Sequence, residues 1–102
     1  MQQKILNLLG IAKKAGLLIT GYDAVLDGVQ QNKIKLVFVG SDCSDSTKET
    51  FNKKCSFHKT DINMEFTSTD LSHAIGTNRK IIGVTDNGIY KTLIGYVGGE
   101  KV

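Results

Sequence analysis

Seven aspartates, two histidines and two cysteines are the side chains through which this 102-residue chain could do covalent or metal chemistry. A nucleophile needs a base within reach, and a zinc site needs ligands at short, regular spacings. His58 and His73 stand in no such spacing with a Ser, Cys or Asp, so surface or capping roles are expected for both. Cys43 and Cys55 are too far apart for a CxxC pair and read as free, partly buried thiols. Asp23, Asp42, Asp45, Asp70 and Asp86 each fall at a helix start or turn, where a carboxylate holds backbone amides. The glycines form neither GxGxxG after a strand nor GxxxxGK before a helix, and Gly95-Tyr96-Val97-Gly98-Gly99-Glu100-Lys101 has the wrong spacing for either. No catalytic residue, metal ligand or cofactor is therefore assigned, and the expected protein is not an enzyme.

The elements that would position any site follow from periodicity. Ile5, Leu8, Leu9 and Ala12 share one helical face, which predicts a helix from Gln3 to Ala15 that stops near Gly16. Leu17-Leu18-Ile19 predicts a short strand, and Thr20-Gly21-Tyr22-Asp23 has the form of a capping box for a helix running to about Gln31. Leu36-Val37-Phe38-Val39 is a continuous apolar run, as expected of a central strand buried on both faces. Ser46-Thr47-Lys48-Glu49 repeats the capping box ahead of Phe51 and Cys55, which share a face of a third helix. Asn63 to Phe66 alternates like a half-exposed strand, and Ser68 or Thr69 is placed to cap a short helix carrying Leu71 and Ile75, stopped by Gly76. Lys80 to Val84 is the last strand, Asp86-Asn87-Gly88 a turn, and Ile89, Leu93 and Ile94 mark a short final helix.

Strands alternating with helices predict a three-layer α/β/α sandwich with a central sheet of about four strands. One domain over residues 1–97 is expected, with 98–102 as a flexible tail. Apolar residues at 40% and charged residues at 23% fit a self-folding globular chain. No apolar run approaches membrane-spanning length, and Met1 to Lys4 lead straight into the first helix, so a cytoplasmic protein without a membrane partner is expected. The net charge of +3 suits a nucleic-acid binder without requiring one.

Three segments in order carry a resemblance. They are Leu8 to Leu17 with Thr20-Gly21-Tyr22-Asp23, then Lys35 to Ser44, then Leu71 to Gly76 with Ile81 to Asp86. Together they resemble the kink-turn RNA-binding superfamily of ribosomal proteins L7Ae, L30e and S12e, and most of all its bacterial YlxQ-like branch. The resemblance implies an L30e-like fold and non-enzymatic recognition of structured, kink-turn-like RNA, with the ribosome as a possible partner and no DNA expected. It places RNA at Gly21, Tyr22, Asp23 and Ala24, at Ser41 and Asp42, and at Thr67, Ser68 and Thr69. Helix starts offer unpaired amides and positive dipole ends to phosphates, and unstacked bases are what proteins read in RNA.

Members that bind kink-turns usually follow that glycine with Asn or Lys, then Glu or Gln, and place a Lys one turn later. Here Asp23, Ala24 and Asp27 stand instead, and an Asp neither donates to base acceptors nor attracts phosphate. That departure supports an alternative, a protein-interaction module of the same fold with weak or no RNA binding. If every helix starts at one end of the sheet and finishes at the other, Asp23, Asp42, Asp45, Asp70 and Asp86 gather at the start end. Lys13, Lys14, Lys33, Lys35, Lys53, Lys54, Arg79 and Lys80 then gather at the opposite end, a secondary basic contact for RNA or ribosome or simply the complement of helix dipoles.

Overall fold

The computed structural model describes residues 2–98 as alternating helices and strands. In order these are α1 (Gln2–Lys14), β1 (Leu18–Thr20), α2 (Tyr22–Gln30), β2 (Leu36–Val39), α3 (Asp45–Phe57), β3 (Asp61–Asn63), α4 (Ser68–Ile75), β4 (Ile81–Val84) and α5 (Asn87–Gly98). The four strands make one sheet in the order β1-β4-β2-β3. Because β2 and β4 are interior and apolar throughout, both of their faces are buried.

Side chains alternate across a strand, and β2 shows the consequence. Leu36 and Phe38 point into a core with Ile5 and Leu9 of α1, Leu71 and Ile75 of α4 and Leu93 of α5. Val37 and Val39 point the other way, to Val25 and Val29 of α2 and Phe51 and Cys55 of α3. Two cores on one sheet are the expected three-layer α/β/α sandwich. Burying each large apolar side chain contributes roughly 1.5–3 kcal/mol. A helix cap contributes about 1 kcal/mol. Packing onto the sheet therefore sets where the helices lie, and caps adjust their ends.

Those ends differ from expectation in five places. Thr20 does not cap α2, because it is the last residue of β1, opposite Ile82, and the N-cap is Gly21 with no side-chain bond. The α3 cap is Ser44, whose Oγ accepts from the Thr47 amide at 3.2 Å, so Ser46 already lies inside the helix. The strand expected over 63–66 is instead β3 at 61–63, paired in parallel with β2. It stops where Asn63 Oδ1 accepts from the Glu65 amide at 3.0 Å, and Phe66 turns under to meet the Phe38 ring. The final helix is longer than expected: Asp86 Oδ2 accepts from the Ile89 amide at 2.9 Å, and α5 continues to Gly98. The rest of the expected tail, residues 99–102, lies outside the described residues. The stop at Gly76 is observed, in left-handed conformation, while Thr67 rather than Ser68 or Thr69 caps α4.

The consequence for function comes from strand direction. β4 runs antiparallel to both β1 and β2, and β3 runs parallel to β2. Arg79 and Lys80, which lead into β4, therefore lie where β1 and β2 finish and α2 begins. Asp86, which follows β4, lies at the other end, beside Leu17 and Lys35. The expected sorting of those five aspartates to one end and all eight cations to the other is thus broken at three positions.

Candidate nucleic-acid interface

The start of α2 is built by Gly21, whose φ of 100° favours glycine over any residue with a Cβ. Its amide donates to Ile81 O at 3.0 Å, and the Gly40 amide at the end of β2 donates to Lys80 O at 2.9 Å. These two bonds fix the residues before β4 against the starts of two loops. The result is a cleft of about 410 Å³ lined by Gly21, Tyr22, Cys43, Ser44, Thr47, Asn78, Arg79, Lys80 and Ile81.

Each wall of the cleft has a defined chemistry. Gly21 has no side chain to cap α2, so the first-turn amides of that helix face outward with the positive end of its dipole. Tyr22 is 41% exposed, and its ring stands edge-on against the buried Phe51, with centroids 5.2 Å apart at 81°. At that exposure the ring keeps surface that could stack on a planar group. Arg79 and Lys80 are exposed on the facing wall. Amides, a fixed aromatic ring and two cations around one cleft suit a phosphate backbone carrying an unstacked base.

Beside the cleft, the turn after β2 and the start of α4 hold each other. Asp42 Oδ1 accepts from the Ser68 amide at 2.7 Å and from Ser68 Oγ at 2.8 Å. The Ser68 amide, then its hydroxyl, hold the Asp42 carboxyl below its ordinary value, with a smaller contribution from the Lys80 charge. The Ser41 amide donates to Phe66 O at 2.8 Å. No Cβ fits at Gly40, since it would lie 2.4 Å from Ser68 Oγ and 3.1 Å from the Ser68 nitrogen.

Of the nine residues expected at the RNA, Gly21 and Tyr22 line the cleft. Asp23 and Ala24 are exposed on the first turn of α2 without lining it. Asp42 and Ser68 are bonded to each other, the Ser41 amide is bonded to Phe66 O, and Thr67 caps α4 by accepting from the Asp70 amide at 3.1 Å. Thr69 lines a different groove, between α4 and Asn7 and Ile11 of α1. Of the eight cations, Arg79 and Lys80 join the cleft, while Lys13, Lys14, Lys33, Lys35, Lys53 and Lys54 stay at the far end of the sheet. Ser44, Thr47 and Asn78 are cleft residues that the sequence did not single out. The capping pattern of Ser44 with Thr47 was one available signal; nothing local marks Asn78.

The cysteines and histidines are occupied or isolated. Cys43 and Cys55 are both buried and free, and burial, with the nearby Asp61 charge, pushes the Cys55 thiol up to about 11. His58 Nδ1 lies 3.3 Å from Asn32 Oδ1, and His73 is exposed on α4. Among the described residues no three His, Cys, Asp or Glu side chains come together as a metal set, and no helix is long and apolar enough to cross a membrane.

Comparison with known proteins agrees with this architecture. RNA-binding protein YlxQ of Enterococcus faecium is 37% identical over 90 residues, covering 88% of this chain and 87% of that one. RNA-binding protein YlxQ of Bacillus subtilis strain 168 is 31% identical over 88 residues, covering 85% and 88%. A solved protein of unknown function from Bacillus halodurans superposes with a TM-score of 0.88 at 34% identity, covering 92% of this chain and 96% of that one. The Giardia lamblia 15.5kD RNA binding protein shares the fold, with a TM-score of 0.77 at 14% identity over 97% of this chain and 85% of that one. Residues 3–94 match the model of the ribosomal protein L7Ae/L30e/S12e/Gadd45 family, and the chain belongs to that family.

Proposed function

We propose that this chain is a non-enzymatic, cytoplasmic protein that binds structured, kink-turn-like RNA, with ribosomal or other noncoding RNA as its target. One observation carries the reading: antiparallel β4 sets Arg79 and Lys80 across the cleft from Gly21 and Tyr22. In this reading a phosphate meets the α2 amides and the two cations, while an unpaired base stacks on Tyr22. Asp42 and Ser68 brace the adjoining loops beside the RNA. The names of both YlxQ relatives support RNA as the ligand.

Asp23 and Asp27, exposed on α2, favour a second reading in which the same fold docks a protein. Salt separates the two, because phosphate contacts release counterions and protein contacts do not release them to the same degree. The test is a fluorescence titration against a kink-turn hairpin and a straight duplex at two salt concentrations. Kink-selective binding that weakens steeply with salt is expected. Failure to bind either RNA at low salt would reject the RNA reading in favour of protein docking.

A further inference from the structure

At the far end of the sheet, α2 and α3 close side by side in the same way. Each is followed by a residue in left-handed conformation, Asn32 with φ 60° and Lys59 with φ 56°. His58 Nδ1 and Asn32 Oδ1, 3.3 Å apart, join the two turns. On this platform stands Phe57, 81% exposed, with its ring edge-on to His58 at 5.0 Å between centroids and 81° between planes. The contact with His58 braces the ring, and most of its surface is open to solvent.

Four cations lie in the segments that meet at this end. Lys33 and Lys59 are exposed in the two turns, Lys54 is half-buried in the last turn of α3, and exposed Lys35 is tied to the exit of α3 by the bond from the Asp61 amide to Lys35 O. The nearby acids are engaged: Asp27 accepts from Gln31 Nε2, Asp61 accepts from the Tyr90 hydroxyl, and Glu49 pairs with Lys53. Complementing helix dipoles accounts for Lys54 and Lys59, since both stand at a helix C-terminus. It does not account for Lys35, which leads into a strand, or for a phenylalanine held out in water. An isolated exposed apolar side chain needs no explanation. A braced aromatic among four cations is the combination that binds single-stranded nucleic acid, by stacking a base and tracking its phosphates.

We propose that this end is a second RNA contact that takes an unpaired strand, with one base on Phe57 and the flanking phosphates at Lys33, Lys35 and Lys59. The inference rests on the RNA-binding reading but uses a different surface, at the opposite end of a molecule 29 Å in its longest dimension. An unpaired extension of an RNA held in the cleft would reach it.

The test uses the full chain and two separate probes, a short fluorescein-labelled oligouridine and the bent hairpin. Phe57→Ala should weaken oligouridine binding by roughly five- to a hundredfold, the usual range for losing one stacked base, and change hairpin affinity less than about twofold. Phe57→Tyr should restore the oligouridine and Phe57→Leu should not, which separates stacking from apolar contact. Lys33→Glu with Lys59→Glu should weaken the oligouridine and flatten its salt dependence by about two phosphate contacts. Arg79→Glu with Lys80→Glu should act on the hairpin instead. Oligouridine binding that is absent at low salt, unchanged in Phe57→Ala, or lost only in the Arg79 and Lys80 variant would overturn the proposal. Loss of hairpin binding alone would count against the cleft and leave this surface standing.

Discussion

The two ends of the sheet carry similar residue types and differ in enclosure. At the cleft, Tyr22 packs on Phe51 and is 41% exposed, and the loops around it are cross-linked through Gly21, Gly40, Asp42 and Ser68. At the far end, Phe57 is 81% exposed and braced by one neighbouring ring, and its turns are joined by a single side-chain contact. A concave site held by several bonds can select a shape; an open ring with flexible lysines can offer only stacking and charge. The comparison predicts shape-selective binding at the first end and sequence-tolerant, salt-sensitive binding at the second.

The strongest way to break the comparison is to remove charge from the enclosed end. Arg79→Glu with Lys80→Glu should lower hairpin affinity on the order of 100-fold near 0.1 M salt, since each phosphate contact contributes about one power of the salt concentration. A titration at several salt concentrations reads both the affinity and the reduced slope. An unchanged slope would mean that the cleft does not hold phosphate.

Gly40→Ala tests whether enclosure depends on the brace between the two loops. Its Cβ would collide with Ser68, so a loss of about 1–3 kcal/mol in urea unfolding is expected, with hairpin affinity falling in the folded fraction. Full stability in the variant would show that the brace gives way freely. A smaller effect distinguishes the observed α3 cap from the expected one. Ser44→Ala should cost about 1 kcal/mol, since its Oγ holds the Thr47 amide at the cleft wall. Ser46→Ala should stay within about 0.5 kcal/mol, because Ser46 lies in the first turn but is not the residue that caps it.

The smallest effect is read by pH. Asp42 is held ionised by Ser68, so its carboxyl titrates below the ordinary 3.8 in the folded chain. A depressed folded value stabilises the protein above the unfolded value, and this contribution is lost as pH falls through the folded value. Asp42→Asn should therefore be less stable than the parent near neutral pH, and the gap should narrow on acidification below about 4. A gap independent of pH would assign the difference to geometry instead of charge.

Much of the fold was legible because its signals are local. Ile5, Leu9 and Ala12 mark the buried face of α1, Phe51 and Cys55 that of α3, and the apolar run from Leu36 to Val39 the doubly buried strand. Three of the ends were misread for identifiable reasons, one a tertiary pairing and two a competing local bond. Thr20 was claimed by β1 pairing, Asn63 ended β3 with its own side chain, and Ser44 offered a cap two residues before the box that looked better formed. The candidate site was legible only in part. Gly21 and Tyr22 could be picked out as residues of the cleft, the bond between Asp42 and Ser68 could not be foreseen, and Arg79 and Lys80 were expected at the opposite end of the sheet.

The sequence by itself determined the helices, the strands, the two apolar faces and the glycine at the head of α2. Only the tertiary structure decided where the charges meet. The reason is a symmetry of the pattern: Ile81-Ile82-Gly83-Val84 buries the same alternating faces whichever way it runs, and the 64–80 connection is long enough to deliver it in either direction. Direction is chosen by the ladder that β4 forms between β1 and β2, which pairs Ile82 with Thr20 and Phe38. That choice, made by residues far apart in the chain, carries Arg79 and Lys80 to the cleft.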